Sequence, residues 1–109
     1  MSPQRFICMF DFSGIHFHDC KIKRVVEDIQ AHSLTLEVDY PVNWEKNEFA
    51  NRSLVFDDAY NYQVFETPFE GFSTILDGLI VGEENGWGKI KLETNMGRRE
   101  LICKAVRVV

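Results

Sequence analysis

Ser33-Leu34-Thr35-Leu36-Glu37-Val38-Asp39-Tyr40 decides the fold class. Leu34, Leu36, Val38 and Tyr40 alternate with Thr35, Glu37 and Asp39. That period of two puts one set on each face of a half-buried strand. Lys89-Ile90-Lys91-Leu92-Glu93 repeats the alternation, and Arg52 to Asp57 does so more loosely. Arg5 to Phe12 and Thr74 to Glu83 also read as β, the latter apolar on both faces around Leu79-Ile80-Val81. Glu100 to Val108 closes the chain as another strand, and its inward set changes parity near Cys103 to Ala105, which predicts a bulge. No window carries the period of an amphipathic helix. Val42 to Ala50 and Asp57 to Tyr62 each have room for one helical turn, too short to stand alone.

Turn chemistry agrees with the strands. Asn85-Gly86 between two β runs predicts a type I′ hairpin. Asn95-Met96-Gly97 fits a three-residue hairpin loop, and Asp28 to Ser33 joins a strand from about Cys20 to Glu27 with the one at Leu34. The expected hairpins are 20–40, 75–94 and 87–108, with Tyr40 to Arg52 and Asp58 to Phe72 left irregular. About seven strands with frequent turns predict one all-β domain over residues 1–109, an antiparallel β-sandwich or a partly open β-barrel. The period of two is the same in both.

Composition narrows the class further. The chain has 109 residues, 45% of them hydrophobic and 27% charged, enough for one core and against disorder. Two-lobed catalysis and a full doubly wound sheet need more chain, and the longest apolar run is too short to cross a bilayer. Met1-Ser2-Pro3-Gln4-Arg5 leads into an apolar alternation with no signal-peptide pattern. Cys8, Cys20 and Cys103 are odd in number and widely spaced, which suits a reducing compartment. The expected location is cytoplasmic.

Charge is unevenly spread. Residues 35–85 carry eleven acidic and two basic groups, a local −9, whereas residues 86–109 carry a local +4. An acidic middle of this density repels a phosphate backbone, so no nucleic-acid partner is expected, and no membrane partner either. It would draw in a basic protein. The plainer account is solubility, with the basic C-terminal stretch pairing with the acidic middle inside the fold.

Three constellations bear on chemistry. On an extended strand His16, His18 and Cys20 share one face, and imidazole and thiolate suit zinc or another late first-row metal. A third or fourth ligand would have to come from His32, Cys8 or Cys103. That metal site is the alternative reading; the expectation is no cofactor, with the His18 imidazole bonded to a carboxylate or carbonyl. Catalysis finds little support, because no nucleophile elbow, zinc-protease helix, phosphate loop or dinucleotide fingerprint occurs. An enzyme is not expected.

The third constellation is aromatic. The acidic middle holds many rings, and most must fill the core. Trp44 and Tyr60-Asn61-Tyr62, however, fall in or near the irregular stretches beside carboxylates. Interface cores favour such rings, so Trp44, Glu45, Asp57, Asp58, Tyr60 and Tyr62 form the expected partner-binding surface. Trp87 is expected to pack across its own hairpin. A homo-oligomeric structural domain, docking through a strand edge or ring patch, is the remaining alternative.

His18-Asp19-Cys20, the strand through Val25, and Leu34-Thr35-Leu36-Glu37-Val38 carry a resemblance. Over residues 16–40 the chain resembles a group of small, mostly uncharacterised bacterial all-β domains that open on a His-Asp-small step followed by two long antiparallel strands. Some of those are similar to immunity proteins of polymorphic-toxin systems. The resemblance implies a stoichiometric, partner-blocking protein and assigns no catalytic or binding residue.

Overall fold

The strand at Leu34 forms because only one pleat face of it can leave water. In the computed structural model, which describes residues 15–43, 45–69 and 71–109, Leu34, Leu36 and Val38 are fully buried while Thr35, Glu37 and Asp39 stay half-exposed. Burying each such aliphatic side chain contributes about 1.5–3 kcal/mol. The expected strand at Arg5 to Phe12, together with Cys8 and Trp44, lies outside the described residues.

Among the described residues there are eight strands: β1 (Cys20–Asp28), β2 (Ser33–Asn43), β3 (Glu48–Asp57), β4 (Tyr60–Glu66), β5 (Ser73–Glu84), β6 (Trp87–Thr94), β7 (Gly97–Cys103) and β8 (Ala105–Val108). They form one antiparallel sheet in the order β4-β7-β6-β5-β1-β2-β3-β8, not closed into a barrel. The described residues contain no helix, so none is long and apolar enough to cross a membrane.

Several turns follow the sequence reading. Glu84 pairs with Trp87 across Asn85-Gly86, whose φ values of 54° and 84° are both positive, as a type I′ turn requires. Asp28 pairs with Ser33, and Asp28 Oδ1 accepts from the Ala31 N–H at 3.1 Å to shape the intervening loop. Other expectations change. Thr94 pairs with Gly97, so the loop is the two residues Asn95-Met96 and not three. The stretch Tyr40 to Arg52 is mostly a fourth hairpin, β2 to β3, bulged between Pro41 and Asn43. Neither expected helical turn forms, and Asp58 to Phe72 contains β4.

The parity change near Cys103 has a different cause from a simple bulge. A bend at Lys104 ends β7, which pairs with β6 and β4, and starts β8, which pairs with β3. Opposite it, Asp58 and Ala59 separate β3 from β4, and the Lys104 N–H donates to the Asp57 carbonyl at 2.9 Å. The two bends meet, so the sheet's edge strands, β4 and β8, are each the continuation of an interior strand. This double corner curls the sheet around a core of Cys20, Ile22, Leu34, Leu36, Val38, Leu54, Phe56, Ile75, Ile90, Leu92, Leu101 and Cys103, with Phe17 packed against it. Phe17 lies directly over Gly78, where a Cβ would come within 2.7 Å of the ring. Only a glycine allows that approach.

Candidate functional site at the aromatic corner

Three rings from three separate turns stack at the double corner. His32 closes the β1–β2 loop in the left-handed region at φ 53°, and its carbonyl accepts from the Ala59 N–H at 2.7 Å. That bond ties the loop to the β3–β4 bend and sets the imidazole on Tyr60, centroids 5.2 Å apart and planes 29° apart. Tyr60 in turn stacks on Trp87, centroids 5.0 Å and planes 23°. Tyr60 pairs with Ile102 on β7, and Ile102 pairs with Lys89 on β6, two residues beyond Trp87. The alternation of the pleat therefore puts Tyr60, Ile102 and Trp87 on one face. Together with Glu84 and Asn85 they line a cavity of about 190 Å³. A second cavity of about 170 Å³ shares Glu84 and Ile102 and extends along the same face past Asn61, Gln63 and Glu100.

Tyr62 goes elsewhere, although it is two residues from Tyr60. Asn61 takes the left-handed conformation at φ 54°, and the β4–β7 register slips between Tyr60 and Gln63. The extra residue breaks the alternation. Tyr60 stays 39% exposed on the ladder, while Tyr62 packs on the core and accepts from Arg99 Nη1 at 2.7 Å. Burial raises the Tyr62 pKa, against the opposing pull of the Arg99 hydrogen bond and charge.

Arg99 anchors a second, closed cluster. Its Nη2 and Nε donate to Glu66 Oε1 and Oε2 at 2.8 and 3.0 Å, and the Ser73 and Thr94 hydroxyls donate to Glu66 Oε2 at 2.6 and 2.9 Å. The two side chains are only 12% and 11% exposed. Burial would raise the Glu66 carboxyl, but the bonds from Arg99, Ser73 and Thr94 outweigh it and hold the pKa below the ordinary value. This cluster satisfies its own members and offers no open polar group. It is structural.

The residues expected to form one partner surface are divided. Asp57, Asp58 and Tyr60 meet at the corner, Tyr62 turns inward, and Glu45 sits at the tip of the β2–β3 hairpin. The intervening strand spans about 30 Å at roughly 3.3 Å per residue. Trp44 lies outside the described residues. Asp57 is bound by Arg107, Nε to Oδ2 at 3.0 Å, which is the expected pairing of the basic C-terminal stretch with the acidic middle. Of the acidic groups in residues 35–85, Glu45, Glu48, Asp58, Asp77, Glu83 and Glu84 form no ion pair among the described residues. Glu84 lines the aromatic cavity, Glu83 precedes it on β5, and Asp58 lies in the β3–β4 bend.

His32, Glu84, Asn85 and Trp87 were not part of the expected surface, although the Asn85-Gly86 turn that positions Trp87 was legible. Trp87 pairs with Glu84 across its own hairpin and stacks on Tyr60.

The alternative metal face does not assemble. Asp19 takes φ 71°, residues 18 and 19 form a turn, and β1 starts only at Cys20, so 16–20 is not extended. His18 is exposed with Nδ1 3.2 Å from Asp19 Oδ1, a carboxylate partner of the kind the cofactor-free reading names. Cys20 is wholly buried and its thiol donates to the His16 carbonyl at 3.1 Å. Burial, with Asp19 nearby, pushes that thiol up to about 12. Among the described residues no three His, Cys, Asp or Glu side chains group as a metal site.

No protein-family model matches the chain, and no curated protein matches it.

Proposed function

We propose that the chain is a non-catalytic protein-binding domain that receives a basic partner at the aromatic corner. The immunity-type, stoichiometric inhibitor is the form of this role that the resemblance over residues 16–40 implies. The observation that carries the reading is the His32–Tyr60–Trp87 ladder beside the Glu84 carboxylate, which forms no ion pair with a described residue. Stacked rings present a large apolar area at little entropic cost, because each is already held by its neighbour. Glu84 at the cavity, with Asp58 in the neighbouring bend and Glu83 on the opposite pleat face, adds a negative field that steers a basic surface toward the corner and is screened by salt.

Polylysine titrated into the full chain at low ionic strength, followed by ¹H–¹⁵N NMR, tests this. Shifts should concentrate at His32, Asp58, Tyr60, Glu84 and Trp87 and fade as salt shortens the Debye length below about 5 Å. Shifts confined to the Glu45 tip, or none at any salt, would overturn the assignment of the corner.

A further inference from the structure

We propose that the cavity beside the ring ladder takes the guanidinium of an arginine side chain presented by the basic partner, an inference that rests on the protein-binding reading above. The chain already assembles this chemistry once from its own residues. Arg98 Cζ lies 4.2 Å from the centroid of the Phe65 ring, and Arg98 Nε donates to Glu100 Oε2 at 2.7 Å. Ring face, carboxylate and guanidinium are all supplied from within the fold there. At the corner cavity of about 190 Å³ the ring left for a ligand is Trp87, backed by Tyr60, whose faces His32 and Trp87 cover; the carboxylate is Glu84, and Asn85 adds an amide oxygen that can accept. Glu84 forms no ion pair with a described residue; Lys89, which lines the adjoining cavity with it, does not come within ion-pair distance, so the carboxylate is left to a cation from outside.

Arginine fits better than the alternatives. Its guanidinium is planar and weakly hydrated, stacks on an indole or phenol, and reaches a carboxylate and a neighbouring carbonyl oxygen with separate N–H groups. A lysine ammonium is compact and strongly hydrated, and gains less from ring faces. A sugar would stack on Trp87 but gain nothing from the negative field of Glu84, Glu83 and Asp58. A nucleotide would stack equally well, and its phosphate would be repelled.

The test compares three small probes on the full chain by ¹H–¹⁵N NMR: Nα-acetyl-arginine methylamide, Nα-acetyl-lysine methylamide and methyl glucoside. The reporters are the Trp87 indole N–H and the Asn85 side-chain amide. The arginine probe should shift both saturably and bind about tenfold more tightly than the lysine probe. Glu84→Gln, a change on an exposed hairpin residue, should weaken the arginine probe about fivefold while the rest of the spectrum stays in place. Equal response to lysine, response to the glucoside alone, or an unchanged Glu84→Gln affinity would overturn the inference. If polylysine maps to the corner but the arginine probe leaves Trp87 unmoved, this inference fails and the protein-binding reading stands. If neither moves the corner, both fail.

Discussion

Tyr60 and Tyr62 are two residues apart on one strand and belong to opposite kinds of site. Tyr62 feeds the Glu66–Arg99 cluster, where every polar atom of the ion pair has a partner and little of it meets solvent. Tyr60 sits in a ladder of rings beside Glu84, which forms no ion pair with a described residue. A closed network is a device for holding a fold, because any unpaired member would cost its full desolvation. An open one adds little to the fold and is available for a partner. The difference predicts that damage to the first region shows up as lost stability and damage to the second as lost binding.

The largest expected effect breaks the closed cluster. Glu66→Ala leaves the Arg99 guanidinium mostly buried and takes the acceptor from Ser73 and Thr94. Removing one partner of such a pair costs about 3–5 kcal/mol, readable as a lower urea midpoint. The same cluster sets an acid limit. Because the folded Glu66 pKa is lowered, its contribution is complete above the ordinary glutamate value and is lost as pH falls through the depressed one. The acid limb of the urea midpoint should therefore flatten in Glu66→Gln. An unchanged acid limb would mean that the cluster does not hold the fold.

A smaller effect separates the two tyrosines directly. Tyr62→Phe deletes the acceptor for Arg99 Nη1 and should cost about 1.5 kcal/mol or more, since the lost bond involves a charged donor. Tyr60→Phe keeps the stacked ring and should stay within about 0.5 kcal/mol of the parent. Equal costs by chemical denaturation would erase the distinction between the two sites.

The period of two made the strands legible, and Asn85-Gly86 fixed one hairpin to the residue. The division of the last strand at Lys104 was not, because a bulge and a change of partner strand produce the same parity slip in the sequence. β4 escaped notice for a different reason: among the described strands it lies at the sheet's edge with Tyr60, Val64 and Phe65 exposed, so no face of it is consistently buried. Of the candidate site, only Tyr60 and the neighbouring acids could be picked out. The contact of Tyr60 with Trp87 depends on the order β4-β7-β6, which sets on either side of β7 two strands that lie 21 residues or more apart along the chain. No local pattern encodes that order. Nor did the spacing of Tyr60 and Tyr62 reveal that one of them turns inward.

Asn61 is what makes the two tyrosines diverge, and its replacement should cost less than the loss of the Tyr62 hydroxyl. At φ 54° it occupies the left-handed region, which asparagine tolerates and a residue with an ordinary Cβ does not. Asn61→Ala should cost about 1 kcal/mol, and Asn61→Gly should cost less, because glycine adopts the same backbone without strain. Stability alone would not tie the bulge to the site. The near-ultraviolet dichroism of Trp87, isolated in a Trp44→Phe background, reports the stack on Tyr60. It should survive in Asn61→Gly and diminish in Asn61→Ala, where relief of the strain pulls β4 toward regular pairing and Tyr60 away from the indole. If Ala and Gly behave alike in both measurements, the left-handed residue is incidental, and the packing of each ring must itself account for which way its side chain turns.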